Sequence, residues 1–145
     1  MNSLSELSFK MILQPAELHI NIQNSLFQKI FSTYNNSIYQ NCYIENIIDI
    51  KNYSRSSIIN HNGSVTFNVL CMANIHNPII NETYHITITH INNMGIFHKH
   101  KLLTIFVPEH FLKCLSSCNI GDHIEICIVG KRTEQNLVCV AKQII

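Results

Sequence analysis

The sequence predicts an α+β protein in two parts: a small antiparallel sheet carrying one helix, then an all-β segment of five short strands. Three observations point there. Apolar and polar residues alternate through most of the chain, the period of a half-buried strand. One stretch, Leu18 to Tyr34, changes to the helical period. Beyond Pro78 the helical period vanishes. A chain of 145 residues has room for one domain or two of about 70 residues each. Asn77-Pro78 is the boundary this pattern suggests, giving 1–79 and 80–145.

Leu7, Phe9, Met11 and Leu13 alternate with Ser8, Lys10 and Gln14, which predicts a first strand. Ile12 interrupts its polar face, as in a strand covered on both sides. Pro15 then ends it, because its fixed φ and missing N–H suit the turn before a helix. Leu18, Ile22, Leu26 and Ile30 fall four apart, widened by Phe27, Phe31 and Tyr34, an amphipathic helix most secure over Asn24 to Tyr34, while His19-Ile20-Asn21-Ile22 suits an extended stretch equally well. Asn35-Asn36 close it, since Asn tolerates the left-handed cap position. Cys42 to Lys51 reads as a strand with Ile44, Ile48 and Ile50 on one face. Asn52 to Asn62 is polar apart from Ile58-Ile59 and reads as an exposed loop or hairpin tip. Val65 to Ala73 is the cleanest strand, apolar on both faces in its second half through Leu70 and Met72.

In the second part, Tyr84, Ile86 and Ile88 alternate with His85, Thr87 and Thr89. Gly95 sits where a strongly curved strand would bend or bulge. Ile96 to His98 and Leu102 to Val107 are two short strands, followed by a helical turn at Pro108 to Leu112. Ile124 to Ile128 makes a fourth strand, Gly130-Lys131-Arg132 a turn, and Leu137 to Lys142 a fifth strand. Five short strands with a small helix after the third is the plan of an OB-type β-barrel, whose exposed face commonly meets single-stranded nucleic acid.

Composition narrows the function classes. At 46% hydrophobic and 13% charged residues the chain is globular in type, and no apolar run is long enough to span a membrane. Met1 to Pro15 lacks the basic and apolar regions of a signal peptide, so the six Cys are expected as reduced thiols of an intracellular protein. The formal net charge is +1, with four basic and four acidic side chains before residue 80 and six and five after it. Neither half has the basic field of a protein held to nucleic acid by phosphate contacts alone. Any nucleic-acid binding is therefore weak, local or borrowed from a larger assembly.

The order β-α-β-loop-β followed by an OB barrel resembles the larger stalk subunit of DNA-directed RNA polymerases, a family of archaeal and eukaryotic nuclear enzymes with counterparts in large DNA viruses. The likeness is spread over nearly the whole chain. It rests on Leu13-Gln14-Pro15 leading to Gln28-Lys29-Ile30-Phe31, on Gly63 to Val69, and on Pro78 and Glu82 at the passage into the barrel. Asn93 to Phe97, Ile105 to His110 and Ile124 to Arg132 continue it in register. The connection Leu112 to Ile120 is shorter than the acidic insertion of many cellular members, and the charge is neutral. Both features suit a pared-down viral version, as does the abundance of Ile, Asn and Lys.

The resemblance implies a non-catalytic subunit that docks on the polymerase core near the clamp and places its barrel near emerging RNA. Core subunits, nascent single-stranded RNA and a small helical stalk partner are the implied partners. No cofactor and no membrane are expected. The implied location is the host cytoplasm (a viral factory) or the virion, with the nucleus as alternative. The other reading of the same residues is a free-standing OB protein acting on single-stranded RNA in translation or RNA processing.

Two regions are singled out as sites. Phe97 and Phe106 lie on neighbouring strands with His98, Lys99, Lys101 and His110 around them, and Lys131-Arg132 add charge nearby. Aromatics on such a face stack bases while cations hold phosphates. The competing reading puts both Phe in the barrel core. In the tip, Arg55, Ile58, Ile59, Asn62 and Gly63 suit insertion into a partner's pocket, the two Ile acting as apolar anchors. Alternatively, the Ile pair folds over its own sheet. Cys114-x-x-x-Cys118 with His110 and His123 has one zinc-like spacing but no second Cys pair, so no metal is expected. No nucleophile turn, phosphate loop or His-Glu-x-x-His helix is present, so no enzyme is expected either.

Overall fold

The computed structural model describes residues 2–18, 21–59 and 62–144, with the side chains of 57–59 excepted. It is mostly β, with one α-helix and two sheets. The chain forms two compact units, one from residues 2–36 and 44–75, the other from 37–43 and 76–145.

The first unit begins with β1 (Asn2–Leu13), which turns Phe9, Met11 and Leu13 inward. Ile12 is exposed, so β1 is not covered on both faces as the sequence suggested. A 3-10 turn at Pro15–Glu17 leads to α1 (Ile22–Tyr34), where the Asn21 carboxamide oxygen accepts from the Asn24 N–H at 3.0 Å. That bond satisfies one of the helix's free N–H groups. Leu26 and Ile30 are fully buried, each burial being favourable by about 1.5–3 kcal/mol. Tyr34 stacks on Phe9 of β1 at 4.4 Å, and Lys29 reaches back to the Ile12 carbonyl and to Glu17. Asn35 ends the helix and accepts from the Ile47 N–H at 2.9 Å.

Two further strands, β2 (Ser37–Tyr39) and β3 (Cys42–Ile59), are joined by Gln40-Asn41, both at positive φ. Two left-handed residues in a two-residue loop are the conformation whose twist matches a hairpin. The sequence reading missed β2 because its three residues show no period. β4 (Val65–His76) follows β3, and the sheet order is β1-β4-β3-β2.

β3 corrects the sequence reading twice. Asn52 to Ile59 continue the strand, so the polar stretch expected as a loop is mostly extended arm. Ile47 rather than Ile48 is buried, with Ile44 and Ile50 three residues to either side. An inward spacing of three does not fit a plain pleat, whose side chains alternate every two residues.

The second unit contains β5 (Thr83–Thr87), β6 (His90–Asn92), β7 (Gly95–His100), β8 (Leu103–Pro108), β9 (His123–Thr133) and β10 (Leu137–Gln143). Their order is β5-β9-β10-β8-β7-β6. β8 and β10 run parallel, and the other neighbours are antiparallel. The two outermost strands, β5 and β6, are separated in sequence only by Ile88 and Thr89. Ile88 bonds Asp122 and Gly121 just before β9, while the Thr89 N–H donates to Phe97 of β7. A sheet whose ends are tied by two residues must curl.

The inner face of the curl is a core of Ile86, Ile88, Ile96, Ile105, Ile126 and Ile128 with Leu103, Val107 and Leu137, joined by Tyr43. Val140 faces Gly130 and Ala141 faces Ile128, which leaves Val129 as an extra residue, a bulge that sharpens the bend. Gly130 to Arg132 stay within β9, and the turn expected there falls at Glu134–Asn136 instead. The helical turn after β8 is 3-10, at Glu109–Phe111. Among the described residues, no helix is long and apolar enough to cross a membrane.

Gly95 is the tightest point. Its φ is +153°, and a Cβ there would lie 2.1 Å from the Val107 carbonyl oxygen. Gly121, at φ +96°, has open space instead. Urea denaturation is expected to show Gly121→Ala losing about 1 kcal/mol through backbone strain. Gly95→Ala is expected to lose at least about 3 kcal/mol, because backbone must also move. Equal losses would mean that the Gly95 contact does not constrain the sheet.

Candidate nucleic-acid interface

Strand alternation decides which side chains share a surface in the second unit. Ile96, Ile105, Val107, Leu137 and Cys139 point inward. The residues between them face outward, so Phe97 and Phe106 do not fill the core. They are direct register partners, half-buried, with rings stacked at 4.7 Å and 25°. Phe106 faces Val140, which faces Gly130, so one row runs Phe97-Phe106-Val140-Gly130 across four strands. His90 extends it beyond Phe97.

Two residues further along lies a second row, Lys99-Thr104-Val138-Arg132. Lys99 places its ammonium 5.1 Å from the centre of the Phe97 ring, a cation–π contact. Arg132 is well exposed, with its guanidinium 3.7 Å from Glu134. A cation thus stands at each end of the second row, with apolar and hydroxyl side chains between. Aromatic rings with cations beside them are the side-chain types by which proteins bind single-stranded nucleic acid.

The remaining predicted residues divide between this surface and others. His98 pairs with buried Ile105, so it belongs to the inward parity, and its Nδ1–H donates to the Thr87 carbonyl at 2.8 Å. Lys131 pairs with buried Cys139 and donates to the Asn77 side chain at 2.8 Å. Lys101 is exposed in the β7–β8 turn at φ +52°. His110 is exposed in the 3-10 turn, its ring 4.3 Å from Phe111. It lines a shallow groove with Met94, Phe106, Pro108 and Glu109.

Thr104, Val138, Val140 and His90 were not anticipated. Only the parallel β8–β10 register places the two Val residues beside the Phe pair, and local alternation carries no signal for it.

In the first unit, Arg55 is exposed on β3, and the backbone of Ile58 and Ile59 lies in the same strand. The side chains of those two residues lie outside the described residues. The Asn62 carboxamide oxygen accepts from both the N–H and the hydroxyl of Ser64, and Gly63 has φ +82°.

The cysteines sort by environment. Burial pushes Cys71 and Cys139 up to about 11 and raises Cys42. Hydrogen bonds from Ser116, then Ser117, lower exposed Cys114, whereas burial raises Cys118. Cys114, Cys118, His110 and His123 do not gather as a ligand group among the described residues.

No family model matches the chain, and a comparison with curated proteins finds no relative.

Phe97→Ala and Phe106→Ala are each expected to weaken binding of a short single-stranded RNA at low salt by roughly 5–150-fold, the equivalent of one lost stacking contact. Lys113→Ala, in the exposed β8–β9 connection, should leave it unchanged. Fluorescence anisotropy reads all three, and unaltered affinity in both Phe variants would remove the site.

Proposed function

We propose that the chain is the larger stalk subunit of a multisubunit DNA-directed RNA polymerase of a large DNA virus. The first unit docks on the core and the second holds an OB barrel near emerging RNA. The observation carrying this reading is the connectivity of the curled sheet. With Thr83 to Asn92 counted as one bent strand, five strands follow in the order 1-2-3-5-4. The bent strand bonds both the second and the fourth, and the third runs parallel to the fifth. That connectivity supports reading the curled sheet as an OB barrel. A helix-bearing antiparallel unit precedes it, as the stalk resemblance implies.

The role is positional, not catalytic. A docked wedge that makes different contacts with the open and closed clamp shifts the balance between them by that difference in free energy. The long β3–β4 hairpin supports docking: its arm exposes Asn52, Tyr53, Ser54 and Arg55, and Tyr53 is braced edge-on by Phe67 at 6.1 Å. The near-neutral charge suits a subunit whose polymerase supplies the grip on nucleic acid. On this reading the chain works in the cytoplasm of an infected host or in the virion, with the nucleus as alternative, and has nascent RNA and a small helical stalk partner as neighbours.

The half-buried Phe97–Phe106 stack on the outward face also favours the second reading, a free-standing binder of single-stranded RNA. Affinity purification of the tagged chain from its native cells separates the two. The stalk reading expects the large polymerase subunits in stoichiometric yield, whereas bulk RNA or ribosomes without polymerase would support the second reading. Replacing residues 56–63 by an Asn-Gly turn should leave a folded chain that no longer retains the polymerase. Normal retention would overturn docking through the tip.

A further inference from the structure

The connection between β8 and β9 holds two cysteines that the proposed function does not use. Cys114 is exposed, and its sulfur lies 3.0 Å from the Ser116 hydroxyl. Ser117 closes the same turn by donating to the Cys114 carbonyl at 2.9 Å. Cys118 follows one 3-10 turn later (Leu115–Ser117), and its Sγ donates to that same carbonyl at 3.3 Å. Cys118 and Leu115 also pack on the core of the second unit, so this turn has a fixed seat.

We propose that Cys114 is a site of reversible modification by a low-molecular-weight disulfide, and that Cys118 resolves the adduct into an intramolecular Cys114–Cys118 bridge. The Cys114 thiolate attacks one sulfur of the disulfide, whose S–S bond breaks and releases one thiolate. Cys118 then gives its proton to solvent and attacks the Cys114 sulfur, releasing the second thiolate. Two protein thiols are oxidised to one disulfide, and the small disulfide is reduced to two thiols. The Cys118 sulfur already lies 3.3 Å from the carbonyl oxygen of Cys114 itself, across the same turn.

The two thiols differ as the scheme requires. The Ser116 hydroxyl, and after it the Ser117 backbone N–H, stabilise negative charge on Cys114, the attacking sulfur. Cys118 stays protonated longer, through burial first and then the nearby charges of Asp122 and Cys114. Cys71 and Cys139 are buried with thiols near 11, Cys42 is buried, and the half-buried Cys127 thiol is turned to the Ile128 carbonyl. The nucleophile is therefore singled out by exposure as well as acidity.

The full chain incubated with oxidised glutathione, followed by intact-mass analysis and peptide mapping, tests this. Wild type should end with a Cys114–Cys118 bridge and no retained glutathione. Cys118→Ser should accumulate one glutathionyl group on Cys114, and Cys114→Ser should take neither product. Cys114 should react about tenfold faster than any other cysteine at neutral pH. Ser116→Ala, which keeps both thiols, should raise the pH of half-maximal reaction. Circular dichroism confirms that each variant is folded. Adducts spread over several cysteines, or equal retention of glutathione by wild type and Cys118→Ser, would overturn the proposal.

Discussion

The second unit depends on one bent stretch of backbone, Thr83 to Asn92, whose first half pairs with β9 and whose second half pairs with β7. Because only Ile88 and Thr89 separate the halves, the two ends of the sheet are held together by covalent chain. The curl leaves little room where β7 meets β8. Gly95 provides that room, since any side chain would strike the Val107 carbonyl. The apolar core follows from the curl: Ile86, Ile96, Leu103, Ile105, Val107, Ile126, Ile128 and Leu137 are gathered to the inside, and Cys139 and Ala141 keep β10 slim there.

The same alternation builds the outer surface. An aromatic pair held across antiparallel partners has both rings placed before any ligand arrives, so less side-chain freedom is lost on stacking. Lys99 rests over one ring, which keeps a cation beside the platform without burying it. Alternation also explains why neighbours in sequence do different work. His98 and Lys131 are spent on bonds to Thr87 and Asn77, whereas Lys99 and Arg132, one residue away, face outward. A surface with so few cations gives local stacking more weight than long-range attraction. Under the proposed stalk role, such a surface would meet RNA delivered by a larger machine rather than RNA captured from bulk solution.

Much of the fold was legible because period reports which face is buried. The helix and the Val65 to Ala73 strand have a clear period, as do the stretches from Tyr84 and from Ile124, and each has its element in the structure. Elements without a period were missed. β2 and β6 are three residues long; β3 reads as a strand over Cys42 to Lys51, but its inward Ile44, Ile47 and Ile50 do not alternate, so Ile48 stands in that reading where Ile47 is buried. Polar composition misled at Asn52 to Arg55, where a hairpin arm is exposed and so needs no apolar face. In the candidate interface, Phe97, Phe106, Lys99 and Arg132 were read from residue type. Their grouping with Thr104, Val138 and Val140 was not, because it follows from the parallel β8–β10 pairing of segments about 35 residues apart.

The most direct test of the account is photo-crosslinking within the affinity-purified assembly. 4-Thiouridine incorporated near the exit end of the nascent transcript is activated, and the cross-linked peptides of this chain are mapped. The account predicts cross-links on the outward residues of β7 and β8, centred on Phe97 and Phe106. Cross-links confined to other parts of the chain, or a transcribing complex in which this chain is never labelled, would contradict it.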